Sequence, residues 1–410
     1  MISQFNLSQF IRDVTGRQQS LFAEDIESHR EHLRTGIDGT RVLAIGAAGT
    51  IGSAFVKSLL PFRPVKVVVV DSNENGLAEL VRDCRSTHGL PIPDDFITYP
   101  VSFADPVFDK ILAGHGPFDI VANFAAHKHV RSEKDRYSIE AMLENNVFRA
   151  RDLLERLVDQ RPKHFFCVST DKAANPVNVM GASKKIMEDL IIAYSDRLPV
   201  RTARFANVAF SNGSLLQGFL ERLMKGQPLS APRDVQRYFV SPEESGEICM
   251  LACMLGRSGD LFYPKLDAGK DMRRFSDIGE ALLERLGLEP VRFESEESAR
   301  AFAVERMSRS GGDCKRKYPI YFFDSNTTGE KPYEEFVGAG EVPDLERFRA
   351  LGVIRPVGGK SIAQLEAMIG SVRRYMDDPE ATKAGVVARM GHYLGDFAHV
   401  ETGRNLDQRM

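Results

Sequence analysis

The chain has 410 residues, 43% of them hydrophobic, enough to bury one large core or two unequal ones and too apolar for general disorder. Its formal charge of −3 creates no global field for polyanions, and no basic stripe interleaved with aromatics is present, so a nucleic-acid partner is not expected. Five scattered cysteines suit reduced thiols better than a disulfide framework, and Cys249 and Cys253, one helical turn apart, read as core packing.

The start, Met1-Ile-Ser-Gln-Phe-Asn-Leu, has no basic flank ahead of an apolar run. No later stretch approaches the roughly 18 apolar residues of a membrane span, so the sequence predicts a soluble, cytoplasmic protein. Residues 1–38 have helix-like spacing and read as a helical N-terminal appendage closing on the Gly36–Gly39 turn. From Arg41, short apolar strands alternate with helices: Val42–Ile45, an amphipathic run to Leu60, Val65–Val70, Ile120–Phe124 and His164–Val168. This pattern predicts an α/β fold, a doubly wound parallel sheet of Rossmann type over residues 39–210. Residues 211–355, richer in Gly, Pro and Arg, are expected to form mostly a smaller substrate-binding lobe, with about 242–260 returning to the first domain. Residues 356–410 read as a helical C-terminal tail.

Gly46, Gly49 and Gly52 follow the first strand and open a helix that includes Thr50 and Ile51. Glycines there permit a tight turn and close backbone approach to a pyrophosphate, while the helix N-terminus offers amides to its oxygens. The next strand ends in Asp71, 25 residues after Gly46, where a carboxylate can accept both ribose hydroxyls and repel a 2′-phosphate. No arginine follows in Asp71-Ser72-Asn-Glu, so NAD is favoured over NADP. The three-residue spacing of both glycine pairs is that of the short-chain dehydrogenase/reductase superfamily.

After the strand His164–Val168 come Ser169-Thr170-Asp171-Lys172 and then Met180-Gly-Ala-Ser-Lys184. An acid beside a base suits removal of water from a sugar, which needs a proton for the departing hydroxyl and a base for the neighbouring C–H. Lys184, four residues beyond Met180 on one helical face, is suited to holding the nicotinamide ribose, and Thr170 is placed to bond the C4 oxygen.

The stretch Val168–Lys184 resembles the UDP-N-acetylglucosamine 4,6-dehydratases, extended members of that superfamily that make precursors of bacterial surface glycans. Further matches are Ala125-Ala126-His-Lys128-His129-Val, Asn145-Asn146-Val, Arg204-Phe-Ala-Asn207-Val, Arg237-Tyr-Phe and Gly329-Glu330-Lys-Pro-Tyr-Glu-Glu335, covering roughly residues 40–340. The resemblance implies that hydride leaves C4 for NAD, that the ketone acidifies C5, and that hydride returns to C6 after water has left. It implies Asp171 as the acid and Lys172 as the base, the one with a raised and the other with a lowered pKa. The cofactor would meet Gly46, Gly49, Thr50, Ile51, Gly52, Asp71 and Ser72 and, further along, Ala125, Ala126, Asn146 and Lys184. The nucleotide sugar would meet Lys128, His129, Asn207, Ser214 and Arg237, with Glu330 near the nucleotide ribose. Association into a homo-oligomer through helices of the nucleotide domain is also implied.

Three departures matter. Met180 replaces the tyrosine with which reductases carry the C4 proton, and a thioether cannot do this. Either that proton leaves through Thr170, Asp171 or water, or the enzyme is dead at this step; the resemblance favours the first account. A branch of the family that includes membrane-anchored long forms carries methionine here, which leaves retention or inversion at C5 open. Ser102 stands where many relatives have an aspartate for the adenine amino group, and His127 replaces a commoner aromatic or aliphatic residue. No metal is expected, since His127-Lys-His129 lacks a partner set of carboxylates or cysteines. The choice between UDP and GDP sugars stays open, and the alternatives are a C4 epimerase or ketoreductase and a non-catalytic NAD-binding scaffold.

Overall fold

The computed structural model describes residues 5–308, 315–325, 331, 333–356, 358–395, 397–399 and 401. Its centre is a parallel sheet of β1 (Arg41–Ile45), β2 (Lys66–Val70), β3 (Asp95–Tyr99), β4 (Ile120–Asn123), β5 (His164–Val168) and β6 (Val200–Ala203). Apolar side chains on both faces of its central strands β1, β2 and β4 explain why they are buried on both sides, while the edge strand β3 is only partly covered. Leu43, Ile45, Val68 and Val70 enter one core, and Val42, Ala44, Val67 and Val69 the other.

The helices α1 (Leu7–Thr15), α2 (Ala23–Ser28) and α3 (Arg30–Ile37) precede the sheet. Those between its strands are α4 (Thr50–Leu59), α5 (Glu74–Ser86), α6 (Pro106–His115), α7 (Arg136–Leu143), α8 (Arg149–Gln160) and α9 (Val179–Ala193). The second half contributes β7 (Asn207–Val208), α10 (Leu215–Lys225), β8 (Leu229–Pro232), β9 (Gln236–Val240), α11 (Pro242–Leu255), β10 (Asp260–Pro264), α12 (Ala268–Asp271) and β11 (Met272–Arg274). It continues with α13 (Phe275–Arg285), β12 (Glu289–Arg292), α14 (Glu296–Ser308), β13 (Lys317–Phe323), β14 (Pro343–Asp344), β15 (Leu351–Ile354), α15 (Ile362–Met376) and α16 (Lys383–Leu394).

The large sheet runs β14-β15-β10-β6-β5-β4-β1-β2-β3. Strand β1 lies between β2 and β4, both parallel to it, so the strand order reverses there and a crevice opens at the strands' carboxyl ends. The return of the second half to this sheet goes beyond the expected 242–260: β10 joins β6 in parallel, and β15 and β14 close the edge antiparallel. The smaller lobe is built from two three-stranded sheets, β11-β9-β7 and β12-β13-β8, around Phe219, Phe239, Leu282 and Ile320.

The N-terminal segment is helical but differs from an appendage. Phe10, Ile11 and Val14 of α1 enter the core of the smaller lobe, while Phe22, Leu33 and Ile37 enter that of the large sheet. Between them Arg17 grips Glu244 through two nitrogens at 2.7 and 2.8 Å, and donates to Asp271 and to the Phe239 carbonyl. Asp25 accepts from the amides of Arg349 and Ala350 just before β15. At the other end α15 and α16 pack Leu365, Ile369, Val372 and Met390 into the core formed by α8 and α9. Two helices of the domain implied to associate between copies therefore lie under the chain's own C-terminal pair. Among the described residues no helix is long and apolar enough to cross a membrane.

Candidate active site

A cavity of about 880 Å³ opens at the switch point and runs between the large sheet and the smaller lobe. This is within the roughly 300–1,000 Å³ usual for small-molecule sites. Its floor is the turn after β1. Gly46 has φ +70°, and a Cβ there would lie 2.4 Å from the Ala125 amide nitrogen, so neither the conformation nor the space admits a side chain. Gly49 caps α4 without a side-chain bond, which leaves the first amides of that helix, at Thr50, Ile51 and Gly52, facing the cavity without a side-chain acceptor. An anionic pyrophosphate fits such a cradle. Thr50 also ties the lobes together, its hydroxyl accepting from the Asn212 amide at 2.9 Å.

Asp71 lines the cavity beyond the turn beside Ser72, and its two oxygens accept from the amides of Ala48 and Asn73, each at 2.9 Å. The carboxylate thus fixes the end of the glycine turn. Val101, Ser102 and Phe103 close this end. Ser102 is used locally, its amide donating to Asp105 and its hydroxyl accepting from Ala104.

Ala125 and Ala126 continue the wall after β4, with His127, Lys128 and His129 at the open rim. Lys128 donates to the Asn212 carbonyl at 2.9 Å. Asn146 is a correction to the sequence reading: it is 2% exposed and does not reach the cavity wall. Its carboxamide accepts from the His127 amide and donates to the His127 carbonyl and to Ser183, which holds the rim segment in place. Its neighbour Asn145 lines the cavity instead.

Thr170 and Lys172 line the wall past the end of β5, and Asp171, 4% exposed, stands behind them. One oxygen, Asp171 Oδ1, accepts from the Thr170 hydroxyl at 2.8 Å, the Lys172 amide at 2.9 Å and Lys172 Nζ at 3.1 Å. Met180 and Lys184 face the same space from α9. Lys184 is 4% exposed and donates to the Val168 carbonyl at 2.6 Å. Burial lowers its pKa, with the charge of Glu188 opposing the shift.

Glu188 belongs to a fully buried pair that sequence reasoning missed. Arg204 on one side grips Glu188 at 2.8 and 3.0 Å, and on the other Glu341 at 2.6 and 2.8 Å. The Ser169 hydroxyl also donates to Glu188, so the strand end that carries Thr170 is tied to α9.

From the smaller lobe, Asn207, Ser214 and Arg237 line the cavity. Ser214 caps α10, and Arg237, 5% exposed, donates from Nη1 to the carbonyls of Gln236 and Lys331. Glu330 lies outside the described residues. Two further cavity residues escaped the sequence reading. Glu334, 4% exposed, is in the quoted Gly329–Glu335 stretch, where only Glu330 was singled out. Ser230 is 2% exposed, and its hydroxyl has no hydrogen-bond partner among the described residues. Such an orphan group, facing a cavity beside Pro232 and Phe323, suits a polar ligand atom.

The profile of a family described as "Polysaccharide biosynthesis protein" matches residues 42–351. An uncharacterised membrane protein of Methanocaldococcus jannaschii is 29% identical over 323 residues, 77% of this chain and 86% of that protein. A UDP-N-acetylglucosamine 4,6-dehydratase (inverting) of Campylobacter jejuni is 26% identical, covering 60% of this chain and 71% of its own. A UDP-glucose 4-epimerase of Rickettsia typhi is 34% identical over 162 residues, 38% of this chain and 47% of that protein. The chain spans about half the length, 53% and 43%, of two bacterial polysaccharide biosynthesis relatives. Among solved structures, Pen from Bacillus thuringiensis superposes with a TM-score of 0.61 at 19% identity, covering 79% of this chain and 90% of that one.

Proposed function

The chain belongs to the polysaccharide biosynthesis protein family, and from that premise we propose that it is a nucleotide-sugar 4,6-dehydratase, acting on UDP-N-acetylglucosamine or its GDP counterpart with NAD as cofactor. The observation that carries this reading is the hydrogen-bonded unit Thr170-Asp171-Lys172, with Thr170 and Lys172 on the cavity wall and Asp171 directly behind them, and Met180 where a reductase needs tyrosine. Bound NAD would take hydride from C4 and return it to C6. The glycine turn and the start of α4 would hold its pyrophosphate, Asp71 its adenosine ribose and Lys184 its nicotinamide ribose.

Thr170 offers the C4 proton a way out that does not need tyrosine. Its hydroxyl accepts that proton and passes its own to Asp171, along the 2.8 Å hydrogen bond. Asp171, now a carboxylic acid, holds the proton that the C6 hydroxyl takes as it leaves as water. Lys172 removes the C5 proton and later gives it back. The count closes: two protons leave C4–OH and C5–H, one departs in water and one returns to C5. Asn207, Ser214 and Arg237 would face the diphosphate, where a guanidinium neutralises charge, and Lys128 and His129 the sugar.

The test is incubation of the purified protein with NAD and UDP-N-acetylglucosamine, and in parallel GDP-N-acetylglucosamine, with the sugar followed by NMR. A C6 methyl signal and a C4 ketone support the dehydratase. The relative named as an epimerase favours a second reading, for which the product would be the C4-inverted sugar with C6 still hydroxylated.

A further inference from the structure

Glu334 is a carboxyl of the cavity wall that no step above uses. Glu334 lies 162 residues from Lys172 in sequence, yet its Oε1 is 3.7 Å from Lys172 Nζ. The segment that carries it is pinned across the loop following Lys172. Lys331 Nζ donates to the Asn175 carbonyl, Asn175 donates to Glu335, and the Ala339 amide donates to the Asn175 side chain. Gly338 passes so close to Ala174 that a Cβ would meet its carbonyl oxygen at 2.6 Å. Arg204 anchors the far end through the Phe336 carbonyl and Glu341. Backbone and buried charge therefore hold Glu334 against Lys172.

Resting on the dehydratase reading, we propose that Glu334 is a positioning residue of the elimination, the proton partner that frees the Lys172 amine to act on C5. At rest Lys172 Nζ stands between Asp171 Oδ1 at 3.1 Å and Glu334 Oε1 at 3.7 Å, and an ammonium has no lone pair for a C–H. One N–H bond of Lys172 breaks and one O–H bond of Glu334 forms. The amine lone pair then takes the C5 proton, and the C5–H electrons pass into the enolate that expels the C6 oxygen. The ammonium later reprotonates C5, and Glu334 returns the first proton, so no outside acid or base is consumed. Four charged groups face this carboxyl: Lys172 and Asp171 from the loop after β5, Arg237 from β9 at 3.8 Å, and Lys331 on its own segment. Burial pushes the Glu334 carboxyl above its usual range and Asp171 adds to the rise, while Lys172, Arg237 and Lys331 oppose it.

The experiment uses the whole chain with NAD and UDP-N-acetylglucosamine in deuterated water, comparing wild type, Glu334→Gln and Glu334→Asp across pH. In Glu334→Gln, reduced cofactor should still form on mixing, because C4 oxidation does not need Lys172. Exchange of deuterium into C5 should fall about 100-fold at neutral pH and recover as pH rises, since only solvent can then take the Lys172 proton. Glu334→Asp, which keeps the carboxyl, should retain the wild-type shape of the pH profile. Unchanged C5 exchange in Glu334→Gln, or an equal loss at every pH, would overturn the proposal. Retained exchange without elimination would also overturn it and mark Glu334 as the acid for C6. Should Glu334→Gln fail to bind NAD, Glu334→Asp decides: a profile that rises only with alkali would contradict the proposal. A wild type that forms no keto sugar would sink the dehydratase reading itself, a distinct result.

Discussion

The Thr170 hydroxyl donates to the same oxygen of Asp171 that Lys172 Nζ contacts, at 2.8 and 3.1 Å. One carboxylate oxygen thus connects the residue placed for the C4 oxygen with the residue placed for C5. Thr170→Val keeps the shape and removes the hydroxyl, so the C4 proton loses its route. Formation of reduced cofactor on mixing should slow about 100-fold with little change in KM, and Thr170→Ser should recover most of the rate. Stopped-flow absorbance at 340 nm reads both. A Thr170→Val enzyme as fast as wild type would return the C4 proton to water.

Gly46→Ala tests the cofactor cradle. The φ of +70° costs an alanine about 1–2 kcal/mol, and its Cβ would press on the Ala125 amide 2.4 Å away. NAD affinity should fall at least about tenfold, the equivalent of about 1.4 kcal/mol, and Tm should drop. Titration of NAD against both proteins checks this, and equal affinity would mean that the dinucleotide lies elsewhere.

Ser230→Ala should act with opposite signs on stability and binding. The buried hydroxyl has no partner among the described residues, so its removal relieves a desolvation cost of about 1–3 kcal/mol and should raise Tm. If the nucleotide occupies that end of the cavity, the same change should raise KM for the nucleotide sugar and leave kcat nearly unchanged. A rise in Tm with KM unaltered would place the nucleotide away from Ser230.

His164 opens β5, the strand that delivers Thr170, and its Nδ1 meets the Cys253 carbonyl at 3.0 Å. Burial, with the charge of Arg201 adding to it, lowers its pKa to about 4. The unfolded chain binds a proton near pH 6.5 and the folded one does not until about 4, so stability should fall as pH drops through that window and level off below it. His164→Gln should flatten this part of the Tm–pH curve relative to wild type. Parallel curves would show that other groups carry the acid sensitivity.

Local patterns carried four strands of the large sheet, β1, β2, β4 and β5: short apolar runs, glycines at three-residue spacing and Asp71 one strand later can be read because each is a short-range requirement of the turn it makes. Thr170, Lys172, Met180 and Lys184 were also legible, since one strand end and one helix place all four. What could not be read depends on chain segments far apart. Glu334 meets Lys172 only because Arg204 and Asn175 fold a distant, irregular segment back over β5. Ser230 gives no sign in sequence that its hydroxyl finds no partner among the described residues. Residues 1–38 gave helical periodicity, but nothing local signalled that Arg17 would clasp Glu244 and Asp271 and so brace both lobes. Asn146 was misread for a related reason: position beside the cavity does not reveal that the His127 backbone and Ser183 already take up its amide.

The most direct measurement follows the C4 hydrogen itself. UDP-N-acetylglucosamine deuterated at C4, turned over with NAD, should yield a 4-keto sugar whose label has moved into the C6 methyl group, seen by NMR as a CH₂D signal. Deuterium recovered at C4, in unchanged or C4-inverted sugar with C6 still hydroxylated, would contradict the dehydratase and leave the epimerase reading in its place.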